Sequence, residues 1–329
     1  MTGVQTCALP ISIYSATCDP FGREYIYPPI WAHAFARLGM GEQSAVTVGL
    51  VLGLSVILLC VALVIVLSQK AGIFHVLTVV VCSVSPPIAL LLERGNTDIV
   101  IVLLIALAAM AIRKQSWISG VFAGLATGLK AFPGLIALVF LRKRTTLRDL
   151  GILVTLALVL LEPYISVLRI ASREPPYTRD YSFGASSSLA IFFPDILDAK
   201  RSILMLPLNL LITVGFSLVL FKLGRKQIRA ASRELLERGM SGALFQFSSL
   251  TFIGAYLTGT KHDYSLVFLV LVSAAIGLSN SHNPILLAMQ VLHCLSMWTA
   301  FTSEGRSVVS DLAVSVAVFS QLALIFADR

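Results

Sequence analysis

Residues 113–148 read RKQSWISGVFAGLATGLKAFPGLIALVFLRKRTTLR. The apolar run 116–141 carries Lys130 and Pro133 in its middle. Arg113 and Lys114 precede it, and Arg142, Lys143, Arg144 and Arg148 follow it. A third basic cluster lies further on, with Lys222, Arg225, Lys226, Arg229, Arg233 and Arg238 against Glu234 and Glu237. Loops on the cytoplasmic side of a membrane are enriched in Lys and Arg. A single straight crossing at 116–141 would put 142–148 and 222–238 outside together. All three clusters share the cytoplasmic side only if 116–141 enters and leaves on the same face. The pattern therefore predicts a broken helical hairpin, with halves near 116–129 and 133–141 and a tip at Lys130-Ala131-Phe132-Pro133. Pro133 lacks an N–H and disfavours helix in the residue before it, which suits a break there. Broken backbone inside a membrane is tolerated where protein or a wet cavity surrounds it.

The rest of the chain agrees with a membrane setting. Its 329 residues are 57% hydrophobic and only 13% charged, with a mean hydropathy of +0.88. Soluble globular chains carry about 25% charged residues. Too little charge remains to cover a soluble surface, which excludes a cytosolic enzyme, a secreted disulfide scaffold and a disordered tail. Nine further apolar runs, at 44–68, 73–92, 97–112, 150–168, 203–221, 240–257, 264–279, 284–302 and 307–326, approach the roughly 20 residues that cross a bilayer core. The fold expected is an all-α polytopic membrane protein, a helical bundle of about nine spans plus the hairpin. The net charge of +8 is read as cytoplasmic loops, not as a nucleic-acid footprint. The five cysteines show no metal or disulfide spacing.

With the fold-back in place the loops sort by side. The cytoplasmic face receives 69–72, 113–115, 142–149, 222–239, 280–283 and the C-terminus. The exported face receives 12–43, 93–96, 169–202, 258–263 and 303–306. The 169–202 loop has five Lys/Arg and four Asp/Glu, nearly neutral as an exported loop should be. Segment 224–238 has the pattern of a basic amphipathic interfacial helix, with a solvated loop near anionic lipid as the favoured reading. Trp31, Phe35 and Leu38 form one apolar face of a short helix expected in the exported interface. Three regions follow: 1–11, 12–43 as a remnant of the first exported loop, and 44–329 as one transmembrane domain. Met1–Ile11 (MTGVQTCALPI) back-translates to what looks like sequencing-library adapter read in frame. The natural chain is then expected to continue upstream of Ser12.

Polar groups gather at the exported ends of the apolar runs. Glu93-Arg94-Gly95-Asn96-Thr97-Asp98 is a turn whose three charges exceed what a turn needs, and Asp98 opens the next helix, where a carboxylate is favourable. Lys130 costs roughly 2.5–3.5 kcal/mol in a membrane, which one anionic partner would offset. Gly259-Thr260-Lys261-His262-Asp263-Tyr264 offers cations and a phenol suited to a phosphate and a sugar, or an Asp263 helix cap. Cys18–Trp31 mixes carboxylates, Arg and aromatics, as a sugar site or an aromatic belt would. Glu162 is a weaker candidate.

Four motifs occur in order: DPFGREYIYPPIW (19–31), ERGNTD (93–98), AGLATGLKAFPGLIAL (123–138) followed by RKR, and GTKHDYSLVFLVL (259–271). In this the chain resembles the GT-C membrane glycosyltransferases, specifically the glycosyltransferase family 87 group of polyprenol-phosphate-mannose-dependent mannosyltransferase-like proteins. Closely related members often have Arg where Ser265 stands.

The resemblance implies a GT-C-like bundle that takes a hexose, mannose by family, from a polyprenyl-phosphate carrier. Transfer is to an acceptor hydroxyl of a lipid, glycan or protein, with inversion. It implies an integral protein of a bacterial plasma membrane with its active site on the exported face, no cofactor or metal, and no nucleic-acid partner. A first-loop carboxylate serves as general base. Here that base is expected upstream of Ser12, with Asp19 and then Asp98 as fallbacks. Arg94, Asn96, Lys130, Lys261, His262 and Tyr264 are the residues expected to hold the lipid phosphate and sugar. The alternatives are a lipid-linked sugar flippase, disfavoured by an apolar cytoplasmic half, and a non-catalytic membrane relative.

Overall fold

The computed structural model describes residues 37–39, 42–94, 96–142, 149–156, 158, 182–183, 202–237, 239–257, 261–300 and 308–327. These are overwhelmingly helical, and every predicted apolar run is mostly helical where described. Among the described residues two helices are long and apolar enough to cross a membrane, Val46–Lys70 and Val308–Ala327, or up to four if each of two bent pairs is one span. Run 73–92 bends by 43° between Ile73–Ser83 and Pro86–Glu93, and five apolar helices are 10–17 residues long. Polar turns such as Asn96–Thr97 and Lys114–Gln115 cut the runs short.

The predicted hairpin is present, and its first half ends at Leu129 as expected. Helix Ser116–Leu129 ends at Lys130, whose backbone is extended at φ −150°, ψ 132°. A 3₁₀ turn, Phe132–Ile136, follows and leads into helix Ala137–Arg142. Pro133 sits at the start of that turn. An N–H there would have no intrahelical partner, so proline is accommodated in the turn that follows the break.

Three contacts show the reversal. Gly120 lies against the Asp149 carbonyl, and Gly124 against Leu153 and Leu156, so 149–156 runs parallel to Ser116–Leu129. The chain between them must therefore return. Helix Met240–Leu257 lies beside that return, with Gly254 against the Phe132 carbonyl and Phe247 edge-on to Phe140 at 5.9 Å between ring centres. At its other end Gly239 touches the Arg113 guanidinium. The basic turns at 113–114 and 222–239 therefore share one end of the bundle, and Lys130 lies at the other.

Small residues permit this closeness. A Cβ on Gly120 would fall 2.8 Å from the Asp149 oxygen, and one on Gly254 only 2.1 Å from the Phe132 oxygen. Helices in lipid associate by such close backbone approach. Ser119 Oγ adds a hydrogen bond to Ala108 O at 2.8 Å, tying Ser116–Leu129 to its antiparallel neighbour Asp98–Ala111.

Segment 225–236 corrects the favoured loop reading. It is a helix, Arg225–Leu236, turned 102° from the preceding span, and it buries Ile228, Ala231, Ser232 and Leu235. Buried polar groups are also not confined to the end that holds Lys130. His75 Nδ1 bonds Gln290 Oε1 at 2.7 Å, and Gln290 Nε2 donates to Ser273 O at 3.0 Å. Ser273 Oγ then meets His293 Nδ1 at 2.8 Å, and Gln321 Nε2 donates to His293 Nε2 at 3.2 Å. This buried row ties four helices together, as interhelical polar groups do in membranes. The expected exported interfacial helix and the segment 1–11 lie outside the described residues, apart from 37–39.

Candidate functional site

The site is built where three separate segments end. Helix Asp98–Ala111 begins at a turn in which Asn96 Oδ1 accepts from the Asp98 N–H at 2.9 Å and the Asn96 carbonyl accepts from Ile99 N at 3.1 Å. These bonds satisfy amide groups that a helix start leaves open. They also set Asp98 with its carboxylate wholly buried. The hairpin break brings Lys130 to the same level, and its ammonium donates to Asp98 Oδ1. The 3₁₀ turn Asp263–Val267 supplies the third group, Ser265 Oγ, which donates to Asp98 Oδ2 at 2.5 Å.

Both carboxylate oxygens of Asp98 are therefore occupied. The lysine is 13% exposed against 0% for the aspartate, so the cation is the member of the pair that reaches outward. Its ammonium also lies 5.9 Å from the centre of the Phe132 ring, within cation–π range. Phe132 is fixed in turn by an edge-to-face contact with Phe268 at 5.7 Å. A membrane lysine needs an offsetting anion, and Asp98 is that anion.

The depth of the site follows from helix length. Helices Asp98–Ala111 and Ser116–Leu129 have 14 residues each. At 1.5 Å per residue each rises about 21 Å. That is less than a bilayer core of about 30 Å. The pair is thus recessed below the exported face if the basic end lies at the cytoplasmic one.

Of the other expected residues, Lys261 and His262 form a two-residue strand that pairs antiparallel with Ser182–Phe183, in register Ser182↔His262 and Phe183↔Lys261. The ladder ties residues 182 and 183 to the chain just before Ser265. Tyr264 lies in the 3₁₀ turn. Arg94 ends helix Pro86–Arg94. The side chains of Arg94, Lys261, His262 and Tyr264, and all of Asp19 and Glu162, lie outside what is described. Among the described residues, no three His, Cys, Asp or Glu side chains are grouped to hold a metal.

Ser265 is the member that sequence reasoning misses. In the sequence it stands out only as a departure from relatives, although its place one residue after the Asp-Tyr pair at a helix start marks it for the same polar end.

The family model for glycosyltransferase family 87 matches residues 25–201, more than half of the chain. The chain belongs to glycosyltransferase family 87. No similar curated protein and no similar solved structure was found. The stretch matched to the family includes Arg94, Asn96, Asp98 and Lys130, while Ser265 and the Lys261–His262 strand lie beyond it. This family 87 protein is therefore a glycosyltransferase built from apolar membrane helices, with a buried carboxylate held by Lys130 and Ser265 among its described residues.

Proposed function

We propose that this protein transfers a hexose, mannose by family resemblance, from a polyprenyl-phosphate carrier to an acceptor hydroxyl on the exported face of a bacterial plasma membrane. The observation that carries the reading is the Lys130 ammonium at the hairpin tip, recessed at the bundle end opposite the basic turns and held by Asp98. A phosphate leaving group needs positive charge and oriented donors, not a proton. Lys130 meets that need, with Lys261 and His262 on the adjoining strand.

In the reaction the acceptor oxygen attacks the anomeric carbon from the face opposite the lipid phosphate. The bond from that carbon to the phosphate oxygen breaks with inversion, and the phosphate keeps the electron pair. A carboxylate within hydrogen-bond reach takes the hydroxyl proton. Asp98 is poorly suited to that task, because it is buried and accepts from both Lys130 and Ser265. Its role here is to hold Lys130 charged and aimed. Of the carboxylates expected at the site, that leaves Asp19 as the base. Phosphate departure assisted by Lys and His requires no metal or cofactor. The acceptor is a lipid, glycan or protein hydroxyl.

The test is transfer in proteoliposomes from radiolabelled polyprenyl-phosphate mannose, with the purified protein. Label moving to an acceptor supports the reading. Label crossing the membrane without transfer would make the protein a flippase, and neither outcome would make it a non-catalytic relative.

A further inference from the structure

The most charge-sorted element outside the site is helix Arg225–Leu236. It turns 102° from the preceding span and so lies across the end of the bundle. Its apolar face is taken up by protein: Ile228, Ala231, Ser232 and Leu235 are buried, and Ser232 Oγ donates to Leu324 O at 2.9 Å. The helix is thereby fastened to Val308–Ala327 and has no apolar face left to insert into lipid.

Each residue advances about 100° around a helix, which puts Arg225, Arg229, Arg233 and Lys226 at about 0°, 40°, 80° and 100°. The four buried residues fall between about 240° and 340°, and Glu237 and Glu234 fall at about 120° and 180° on the far flank. Of the charged residues only cations lie in the quarter-turn next to the buried face, around the half-buried Leu236 at about 20°. Arg225, Lys226 and Arg233 are exposed. Arg229 is half-buried, with its guanidinium 5.7 Å from the centre of the Phe221 ring on the preceding span. That contact turns the cationic flank toward the side of the span. At the corner between the two helices Lys222 is exposed and Leu223 is 81% exposed. Apolar span, exposed leucine and clustered cations follow one another there, in the order of a bilayer edge: acyl chains, then headgroups.

We propose that this flank binds the phosphate headgroups of anionic phospholipids at the face opposite the Asp98–Lys130 pair. Arg113 and Lys114 are exposed at the same end, Arg113 lying against Gly239, and extend the positive surface. The helix acts as an electrostatic cuff, rigid because its other face is packed on the bundle. Each cation near an anionic surface contributes about fivefold in binding.

The experiment uses the full chain in mild detergent with equal amounts of phosphatidylglycerol and phosphatidylcholine, and native mass spectrometry to count retained lipids. Wild type is expected to retain phosphatidylglycerol at least about tenfold over phosphatidylcholine, with the preference falling as salt rises. The combined variant R225Q/K226Q/R229Q/R233Q is expected to lose most of it, whereas E234Q/E237Q keeps it. Thermal unfolding in lipid-free detergent checks that the variant is folded. If it is not, single R225Q and K226Q proteins and the wild-type salt titration carry the test. Equal retention of the two lipids by wild type, or an unchanged preference in the folded variant, overturns the proposal. Displacement of the lipid by inorganic phosphate as completely as by excess phosphatidylglycerol would make the ligand a free phosphate and overturn it too.

Discussion

Asp98 and Lys130, 32 positions apart in the chain, close an ion pair where a helix start meets a hairpin tip. The carboxylate has no exposed surface; Lys130 and Ser265 donate to its two oxygens, and the turn at Asn96 fixes its backbone. Removing one member of a buried pair leaves the other charge uncompensated, at a cost of about 3–5 kcal/mol. Partial exposure of Lys130 puts Asp98→Asn near the lower end. Lys130→Met should cost a similar amount and abolish transfer. The double variant Asp98→Asn/Lys130→Met should recover much of the stability and none of the turnover. Thermal unfolding in detergent, run beside the transfer assay, separates the two effects. A double variant with wild-type turnover would remove Lys130 from the chemistry.

Ser265 donates to the oxygen of Asp98 that Lys130 leaves free. A hydrogen bond to a charged group contributes about 1.5–3 kcal/mol. Ser265→Ala should lower stability by that order and reduce turnover, because Asp98 is then free to turn away from Lys130. Ser265→Thr keeps the hydroxyl and should retain more activity. Equal turnover in Ser265→Ala and wild type would show that this bond does not position the pair.

Helix Met240–Leu257 reaches the hairpin only because residue 254 has no side chain. In Gly254→Ala the new methyl would meet the Phe132 carbonyl, and backbone cannot swing aside as a side chain can. Overpacking of this kind costs about 1–3 kcal/mol. Turnover should fall as well, since Phe132 is two residues from Lys130. Gly215→Ala is the control: nothing lies within 4 Å of the added methyl. It should be neutral or stabilise by about 0.5–1 kcal/mol, as Ala does over Gly within a helix. Unfolding temperatures of the two variants check the contrast.

The reversal at Lys130 is open to chemical mapping. In a chain with its native cysteines replaced, single cysteines at Lys114, Ala131 and Thr145 should react with a membrane-impermeant maleimide from different faces. Positions 114 and 145 should label from one side and 131 only from the other. Labelling of 114 and 145 from opposite faces would mean a straight crossing.

The break within 116–141 is legible in the amino-acid sequence because its causes are local. Charge at both ends sets which side each end occupies, and a lysine followed by a proline within an apolar run is a cost that a continuous helix does not escape. The helical runs are legible for the same reason: partition between water and lipid depends on each side chain's own chemistry. Their true lengths are not, since Asn96 and Ser85 end helices through hydrogen bonds that hydropathy does not register. Nor is the 3₁₀ turn Phe132–Ile136 that stands where the second helical half was expected to start, because a proline fits the opening of either. Only the tertiary structure decided that Asp98 serves Lys130, that Ser265 completes the group, and that Arg225–Leu236 folds across the bundle end. Those pairings depend on how closely distant backbones approach, which is set by glycines such as Gly120, Gly124 and Gly254 acting between segments rather than within one.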